Sequence, residues 1–224
     1  MAVYAHPDDA DVAAGGVMAS WAAQGCDVHL VVVCDGSKGA HGSATSPDRL
    51  AEVRRGELEL GADLLGVREV HRLGVPDGEA SNSDDLRRRL VELIRRHRPE
   101  VVLGPDPTAT FFGGVYVNHR DHRETGWAVL DAVAPAAAMP LYYPEAGPAH
   151  QVTWLLLSGT HEPDVAMDVA SSIDVKVKAV LAHHSQTGDD TDGVSDVVRS
   201  RAAQAGRPLG LAYAEAFRSV QLAG

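Results

Sequence analysis

Two short clusters of histidines and aspartates are the candidates for chemistry in this sequence. His6-Pro7-Asp8-Asp9 follows an apolar run at the start of the chain, and Asn118-His119-Arg120-Asp121-His122 comes much later. Zinc in proteins takes imidazole nitrogens and carboxylate oxygens, and a catalytic zinc keeps three protein ligands and one position for water. We therefore predict that the two clusters meet in space and hold one divalent metal ion, with zinc preferred.

The neighbouring residues of each cluster suggest a division of roles. One carboxylate of the Asp8-Asp9 pair can bind the metal while the other acts as general base on the attacking water. His119 and His122 are three residues apart, so on a helical turn they face the same side. If His122 binds the metal, a protonated His119 can stabilise an oxyanion or protonate a leaving amine. Asp121 is then predicted to hold His119 in that protonated state through a carboxylate-imidazole hydrogen bond.

The elements that must position these clusters are predicted from the apolar pattern. Strands are predicted at Val3 to Ala5, Val28 to Cys34, Glu69 to Leu73 and Val101 to Leu103. Helices are predicted from Asp11 to Gln24, from a Ser46 cap to Leu64, and from Asp84 to His97 with Ser83 as cap. This βαβαβαβ order predicts an α/β fold, a doubly wound, mostly parallel, Rossmann-like sheet with helices on both faces. Ligands bind such sheets at the carboxyl ends of the strands, where His6 and the polar loop Asp35 to Ser43 fall.

After Pro140 the apolar pattern is less regular. Further strands are predicted at Leu141 to Tyr143, Val152 to Leu157 and Val165 to Val169. Helices are predicted from about Ile173 to His184 and from about Val194 to Ala205, with an acidic loop at Gly188 to Gly193 and a packed end at Ala212 to Val220. We find no internal repeat or linker, so residues 1–224 are predicted to form one domain.

The composition excludes several classes of protein. A net charge of -11 and a pI near 5.4 argue against binding to nucleic acid or to an anionic membrane surface. No apolar run approaches the roughly 20 residues of a membrane span, and no basic leader is seen, so we expect no membrane insertion and a cytoplasmic location. Cys26 and Cys34 are too few for a disulfide framework, so buried free thiols are expected, with a disulfide as the alternative.

Taken together, these motifs resemble the LmbE-like family, also called the N-acetylglucosaminyl-phosphatidylinositol de-N-acetylase (PIG-L) superfamily. The resemblance depends on Ala5-His6-Pro7-Asp8-Asp9 after the first strand, on Gly15-Gly16, and on the later His119-Arg120-Asp121-His122. Weaker matches are Arg54-x-x-Glu57, Gly74 to Gly78, Ala182 to Gln186 and Tyr213 to Phe217.

The resemblance implies an LmbE-like, zinc-dependent amidohydrolase. Such an enzyme removes an acetyl or other acyl group from the amine of an N-acetylglucosamine-type conjugate, a small-molecule substrate. A homo-oligomer is left open. Carried over by position, the implied metal ligands are His6, Asp9 and His122. The implied catalytic residues are Asp8 as general base, His119 as electrophile or acid, and Asp121 as the residue that orients His119. The implied substrate-binding residues are Arg54 and His183.

Each of these features also has a purely structural interpretation. Asp8 and Asp9 could simply cap the first helix, and Arg54 could form an ion pair with Glu57. His183 could pack at a helix end. The remaining histidines are assigned to structural or surface positions, namely His29, His41, His71, His97, His150 and His161.

Other functions are weighed against the deacetylase. A nucleotide-binding or oxidoreductase α/β protein would share the sheet order, but no Gly-x-Gly-x-x-Gly follows the first strand and no phosphate loop with Gly-Lys-Ser/Thr occurs. A serine hydrolase is disfavoured because no Gly-x-Ser-x-Gly is present. A non-catalytic relative that keeps the metal as a binding module is the remaining alternative. Against it, Asp8 beside the ligands favours water activation.

Overall fold

The computed structural model describes residues 1–40 and 45–222, so His41 and the end of the predicted loop Asp35 to Ser43 lie outside the described residues. The elements in chain order are β1 (Ala2–Tyr4), α1 (Asp9–Ala23), β2 (His29–Cys34), α2 (Pro47–Leu65), β3 (Glu69–Val75), α3 (Asp84–His97), β4 (Val101–Pro105), β5 (Phe111–Phe112), β6 (Tyr116–Val117), α4 (Arg120–Asp131), β7 (Trp154–Ser158), β8 (Val165–Asp168), α5 (Ile173–Ala182), α6 (His184–Thr187), α7 (Thr191–Gly206) and β9 (Ala214–Gln221). A π-helical segment, Ala132–Ala136, extends α4.

Seven strands form one sheet in the order β3-β2-β1-β4-β7-β9-β8. The first five are parallel to one another, and β9 runs antiparallel to both β7 and β8. The predicted doubly wound, mostly parallel α/β fold is therefore confirmed. The strand order reverses between β1 and β4, so the carboxyl ends of these two strands border the crevice in which such sheets bind ligands.

Alternate residues of the central strands enter two different apolar cores. Val31 and Val33 of β2 pack with residues of α3 and α4, whereas Leu30 and Val32 pack with residues of α1, α2 and α5. Helices thus cover both faces of the sheet, which explains why its strands read as continuous apolar runs.

The end of the chain is docked onto α1 through a buried carboxylate. The amides of Gly16 and Val17 donate to Glu215 at 2.9 and 2.8 Å, and Lys176 forms an ion pair with the same side chain. A Cβ at position 16 would lie 2.8 Å from Val169, which follows β8, and 3.1 Å from Glu215 Oε1 of β9. Glycine at this position therefore lets α1 approach both residues closely.

The strand predicted at Leu141 to Tyr143 is wrong. Tyr143 has a left-handed φ of 49°, and the surrounding main chain wraps around the buried guanidinium of Arg95. Arg95 donates to six carbonyl oxygens at 2.7 to 3.2 Å, those of Ala136, Ala137, Met139, Tyr142, Tyr143 and Gly147. Carbonyls that converge on one cation are not available for a strand ladder.

Three smaller features also differ from prediction. Helix α7 begins at Thr191 because the Asp190 side chain accepts from the amide of Gly193, so part of the predicted acidic loop is a helix cap. The loop after β4 contains the unpredicted hairpin β5–β6. Both cysteines are free, but Cys26 is exposed rather than buried. Across the described residues, no helix combines the length and apolar character that a membrane span needs.

Candidate metal centre

His6, Asp9 and His122 meet at the carboxyl end of β1. His6 Nδ1 lies 3.2 Å from His122 Nε2 and 3.3 Å from Asp9 Oδ2. His122 Nε2 and Asp9 Oδ2 are 3.2 Å apart. A tetrahedral shell with zinc–ligand bonds of about 2.0–2.1 Å has ligand–ligand separations of about 3.3–3.4 Å. The near-equilateral triangle of two nitrogens and one oxygen therefore fits one face of a zinc coordination shell.

Local backbone geometry brings these three side chains together. His6 lies in the turn between β1 and α1, and its amide donates to Asp9 Oδ2 at 2.8 Å, which aims the carboxylate back at the imidazole. His122 lies in the first turn of α4, which follows the β5–β6 hairpin. Asp8 is the N-cap residue of α1, but its side chain makes no capping hydrogen bond within the described part of the chain. Its carboxylate is thus free for another role.

A second layer of side chains orients the two imidazoles. His6 Nε2 lies 3.2 Å from Asp121 Oδ2 and 3.3 Å from Asp77 Oδ1. His122 Nδ1 lies 3.0 Å from Asn118 Oδ1. Because these acceptors take the N–H of each ring, Nδ1 of His6 and Nε2 of His122 are the nitrogens left for a metal.

The hydrogen bond predicted between the carboxylate of Asp121 and His119 is wrong. Asp121 is fully buried, and its carboxylate accepts from the amides of Gly78 and Ala80 at 2.6 and 3.1 Å and faces His6. Its nearest approach to His119 Nδ1 is 3.8 Å. Instead, the Asp121 amide donates to His119 Nδ1 at 3.2 Å. A neutral His119 therefore carries its proton on Nε2, as a donor. The catalytic role of Asp121 stays a prediction.

In the metal-free protein the surrounding carboxylates favour protonated imidazoles. Burial opposes the charge on His6, but hydrogen bonds with Asp121, Asp77 and Asp9 outweigh it and raise the pKa of His6 to about 12. Burial opposes the charge on His122 too, but Asp9 raises its pKa. Burial also opposes ionisation of Asp9, and the two imidazoles nevertheless hold its pKa well below the usual range. A metal ion would replace these protons.

Asp8 lies next to the ligand triangle and is held by Arg54. Arg54 Nη2 donates to Asp8 Oδ1 at 2.7 Å, and Nη1 donates to the carbonyl of Gly36 at 3.2 Å. The guanidinium fits because positions 36 and 39 are glycine. A Cβ on Gly36 or Gly39 would lie 2.7 or 2.6 Å from Arg54 Nη1. The loop after β2 therefore forms a slot through which Arg54 reaches Asp8.

The alternative ion pair between Arg54 and Glu57 is wrong. Glu57 instead accepts from the amide and the hydroxyl of Ser185, each at 2.7 Å. His183 is fully buried, and its Nε2 pairs with Asp11 of α1. The substrate-binding roles of Arg54 and His183 stay predictions, since both side chains are buried and bonded to aspartates.

A cavity of about 350 Å³ opens beside the triangle. Asp8, Asp9 and His122 line one side, and Phe112 and Tyr116 of the β5–β6 hairpin line another. The two aromatic rings have centroids 5.8 Å apart. An apolar wall facing a few convergent polar groups is the usual form of a small-molecule site.

Sequence reasoning missed two residues that touch the candidate ligands, Asp77 and Asn118. Both have a signal in the sequence. Asp77 follows β3 at the same edge of the sheet as His6, and Asn118 precedes His122 by four residues. His119 forms the N-cap of α4, whereas the Asn118 side chain bonds His122 and the carbonyl of Ala109.

Fold and site together define a class: doubly wound α/β proteins with a candidate two-histidine, one-carboxylate metal centre at the switch point of the sheet. Residues 1–133 match the family model described as PIG-L: GlcNAc-PI de-N-acetylase. The chain belongs to this family, which confirms the resemblance found in the sequence.

Its relatives include two deacetylases and a solved structure. The chain is 32% identical over 220 residues to diacetylchitobiose deacetylase of Thermococcus kodakarensis, covering 96% of this chain and 80% of the relative. It is 34% identical over 193 residues to 1D-myo-inositol 2-acetamido-2-deoxy-alpha-D-glucopyranoside deacetylase 2 of Saccharopolyspora erythraea, covering 74% and 68%. The structure of N,N'-diacetylchitobiose deacetylase from Pyrococcus horikoshii matches with a TM-score of 0.89 at 30% identity, covering 98% of this chain and 82% of that one.

Proposed function

We propose that this protein is a zinc-dependent N-deacetylase that removes an acetyl or other acyl group from an N-acetylglucosamine-type conjugate. The observation that carries the proposal is the triangle of His6, Asp9 and His122 with the carboxylate of Asp8 beside it. The names of its relatives support the substrate class, because diacetylchitobiose and the acetamido-glucopyranoside of inositol are both N-acetylated amino sugars.

In this proposal His6, Asp9 and His122 hold the metal. When bound, the metal supplies Lewis acidity toward the attacking water and the acyl oxygen. The donor set suits zinc, and the N–H acceptors behind the imidazoles, Asp121, Asp77 and Asn118, keep the ligand nitrogens in place.

Asp8 takes the proton of the attacking water. Arg54 fixes its carboxylate through Oδ1 and leaves Oδ2 for that proton. The water oxygen adds to the acyl carbon, the C–N bond breaks, and the proton passes to the leaving nitrogen. The products are a carboxylate and a free sugar amine.

His119 donates a hydrogen bond from Nε2 to the oxyanion that develops on the acyl group. Its ring centroid lies 5.0 Å from that of His6, and its side chain is 46% exposed. Burial lowers the pKa of His119, which favours the neutral donor form over the protonated imidazole expected from the sequence. A fixed donor of this kind stabilises the transition state without reorganisation.

We further propose that residues 1–224 work as one domain in the cytoplasm on a small-molecule substrate, without nucleic acid. The seven-stranded sheet includes both the first strand, β1, and the last, β9, which supports the single domain. Free thiols at Cys26 and Cys34 support a reducing compartment. A homo-oligomer stays a prediction.

The test is release of primary amine from a panel of acetamido sugars, including diacetylchitobiose and N-acetylglucosaminyl-inositol, with zinc and with a chelator. We expect zinc-dependent release that the chelator abolishes. Asp8→Asn should lower kcat by about 100-fold or more while zinc stays bound, because the general base is lost.

The matched control is Asp63→Asn, which removes an exposed carboxylate on α2 and should leave kcat unchanged. Near-native turnover of Asp8→Asn would remove Asp8 as the base. A zinc-loaded protein that releases amine from no compound of the panel would overturn the proposed reaction.

A further inference from the structure

His29, Glu69, His71 and His97 converge at the amino-terminal edge of the parallel strands, opposite to the candidate metal centre. His29 and Glu69 begin β2 and β3, and His97 ends α3. At about 3.3 Å per residue, the six residues of β2 span about 20 Å from this edge to the other. The cluster is therefore separate from the site described above.

Strand register and helix position place the four side chains on one face of the sheet. In the parallel pair β2–β3, His29 lies opposite Glu69 and Val31 lies opposite His71. Because alternate residues share a face, these side chains lie on the face of Val31, which packs with the apolar residues of α3. His97, the last residue of α3, reaches the same point.

One nitrogen of each ring is directed at the carboxylate of Glu69. The distances to Glu69 Oε2 are 3.8 Å from His29 Nδ1, 3.7 Å from His71 Nε2 and 3.9 Å from His97 Nε2. All four ligand atoms lie within 4.8 Å of one another. These same three nitrogens are buried and have no hydrogen-bond partner among residues 1–40 and 45–222.

Buried imidazole nitrogens without partners are costly, so three that converge on one point need an explanation. Hydrogen bonds to Glu69 do not supply one, because 3.7 to 3.9 Å exceeds the hydrogen-bond range. A contraction of about 0.5 Å would instead bring the three imidazole–Glu69 distances to the separations of about 3.3–3.4 Å found in a tetrahedral zinc shell, and all four ligand atoms already lie within 4.8 Å of one another. Glu69 can make this movement, because its side chain is 51% exposed.

We propose that His29, Glu69, His71 and His97 form a second metal site, which binds Zn²⁺ with four protein ligands. Three imidazoles and one carboxylate complete a tetrahedral shell and leave no position for water, so the site is structural. It joins β2, β3 and the carboxyl end of α3, where the helix dipole favours a cation. A cavity of about 420 Å³ lined by His29 and His97 gives the ion a route of entry.

The test uses a tag-free His6→Ala/His122→Ala double variant, in which the first centre has lost two ligands. After chelator treatment and reloading with limiting zinc, metal analysis should find about one zinc per chain. Loading should raise the Tm by several degrees. Co²⁺ in place of zinc should give the intense visible absorption of a tetrahedral site.

Adding His71→Ala should abolish the retained zinc and the Co²⁺ absorption, whereas adding the exposed His184→Ala should leave both unchanged. If His71→Ala fails to fold, Glu69→Gln gives the same test at an exposed position, with an expected loss of affinity of at least about 10-fold. A double variant that retains no zinc, or equal retention with His71→Ala and His184→Ala, would overturn the site. Neither outcome bears on the proposed deacetylase, because the first centre is disabled throughout.

Discussion

At the scale of single residues, each imidazole of the candidate site is oriented by the hydrogen-bond partner of the ring nitrogen that faces away from the metal position. His6 turns Nε2 to Asp121 and Asp77, so its Nδ1 faces Asp9. His122 gives Nδ1 to Asn118, so its Nε2 faces the same carboxylate. The tautomer that presents each ligand nitrogen is thus set by residues outside the triangle, and the affinity for metal depends on them.

The same contacts predict that metal binding releases protons. The pKa of His6 is raised to about 12 and that of His122 is also raised, so at neutral pH a metal must displace at least one proton from this pair. Affinity should therefore rise with pH and fall as the pH decreases. Zinc calorimetry at pH 7 in buffers of different ionisation enthalpy should show at least one proton released for each ion bound at this centre.

This titration is best made in the His71→Ala variant, so that only one of the two proposed sites binds. A binding enthalpy that is independent of the buffer would show that the imidazoles are already neutral. The carboxylates around His6 would then not govern its protonation.

At the scale of elements, the position of Asp8, the proposed general base, depends on a loop that contributes none of the proposed catalytic side chains. Arg54 extends from α2, passes Gly36 and Gly39, and reaches Asp8 at the start of α1. Gly36 has a φ of 68°, a conformation that side chains disfavour, and both glycines leave the space that the guanidinium fills. The position of Asp8 therefore depends on the relative placement of α1, α2 and the loop after β2.

Gly39→Ala should displace Arg54, because the new Cβ would lie 2.6 Å from Nη1. We expect kcat to fall by about 10- to 100-fold, as for a catalytic group misplaced by about 1 Å, with zinc content unchanged. The matched control is Gly56→Ala in α2, where a Cβ meets no atom of the described residues within 4 Å. It should keep kcat and stabilise the helix by up to about 1 kcal/mol. Equal kcat in the two variants would show that Arg54 does not position Asp8.

The elements that sequence predicted well are those whose signals are local. The Ser46 and Ser83 caps accept from the amides of Arg49 and Leu86, so α2 and α3 begin as predicted. The elements that failed are set by distant partners. Leu141 to Tyr143 has a strand composition, but its carbonyls are drawn to Arg95, which lies 46 residues before Leu141 in sequence. No periodicity within the segment reports such a contact.

The residues of the candidate site also divide into those with a local sequence signal and those positioned by distant partners. The two histidine-aspartate clusters could be found because the ligands lie close together in sequence within each cluster. The Glu57–Ser185 contact could not be found, since it depends on how α6 packs against α2. Asp77 follows a predicted strand at the same edge of the sheet, but its contact with His6 depends on how β3 packs in the sheet. The hydrogen bond of Asp121 was assigned to its sequence neighbour His119, whereas packing gives it to His6.

At the scale of the whole molecule, the sheet has two polar edges for which we propose different tasks. The carboxyl edge between β1 and β4 holds three candidate ligands, an open cavity and the proposed base, Asp8. The amino edge of β2 and β3 holds four candidate ligands, which is the composition of a closed structural site. The apolar cores between the edges keep them apart, so changes at one edge should leave the chemistry of the other intact.

The Arg95 guanidinium attaches the segment from Ala136 to Gly147 to helix α3. Its side chain is buried, and its removal leaves six carbonyls without their donor. Arg95→Met keeps the length of the side chain and should lower the free energy of unfolding by about 3–5 kcal/mol. At about 2–4 °C for each kcal/mol, the Tm should fall by roughly 6–20 °C.

The neighbouring Arg96 is exposed, so the stability of Arg96→Met should stay within about 0.5 kcal/mol of the parent protein. Thermal and urea unfolding of the two variants measures this difference in stability. Because Arg95 lies outside the candidate site, kcat below the Tm should be the same in both variants. Equal stability of the two variants would mean that the segment from Ala136 to Gly147 keeps its place without the guanidinium.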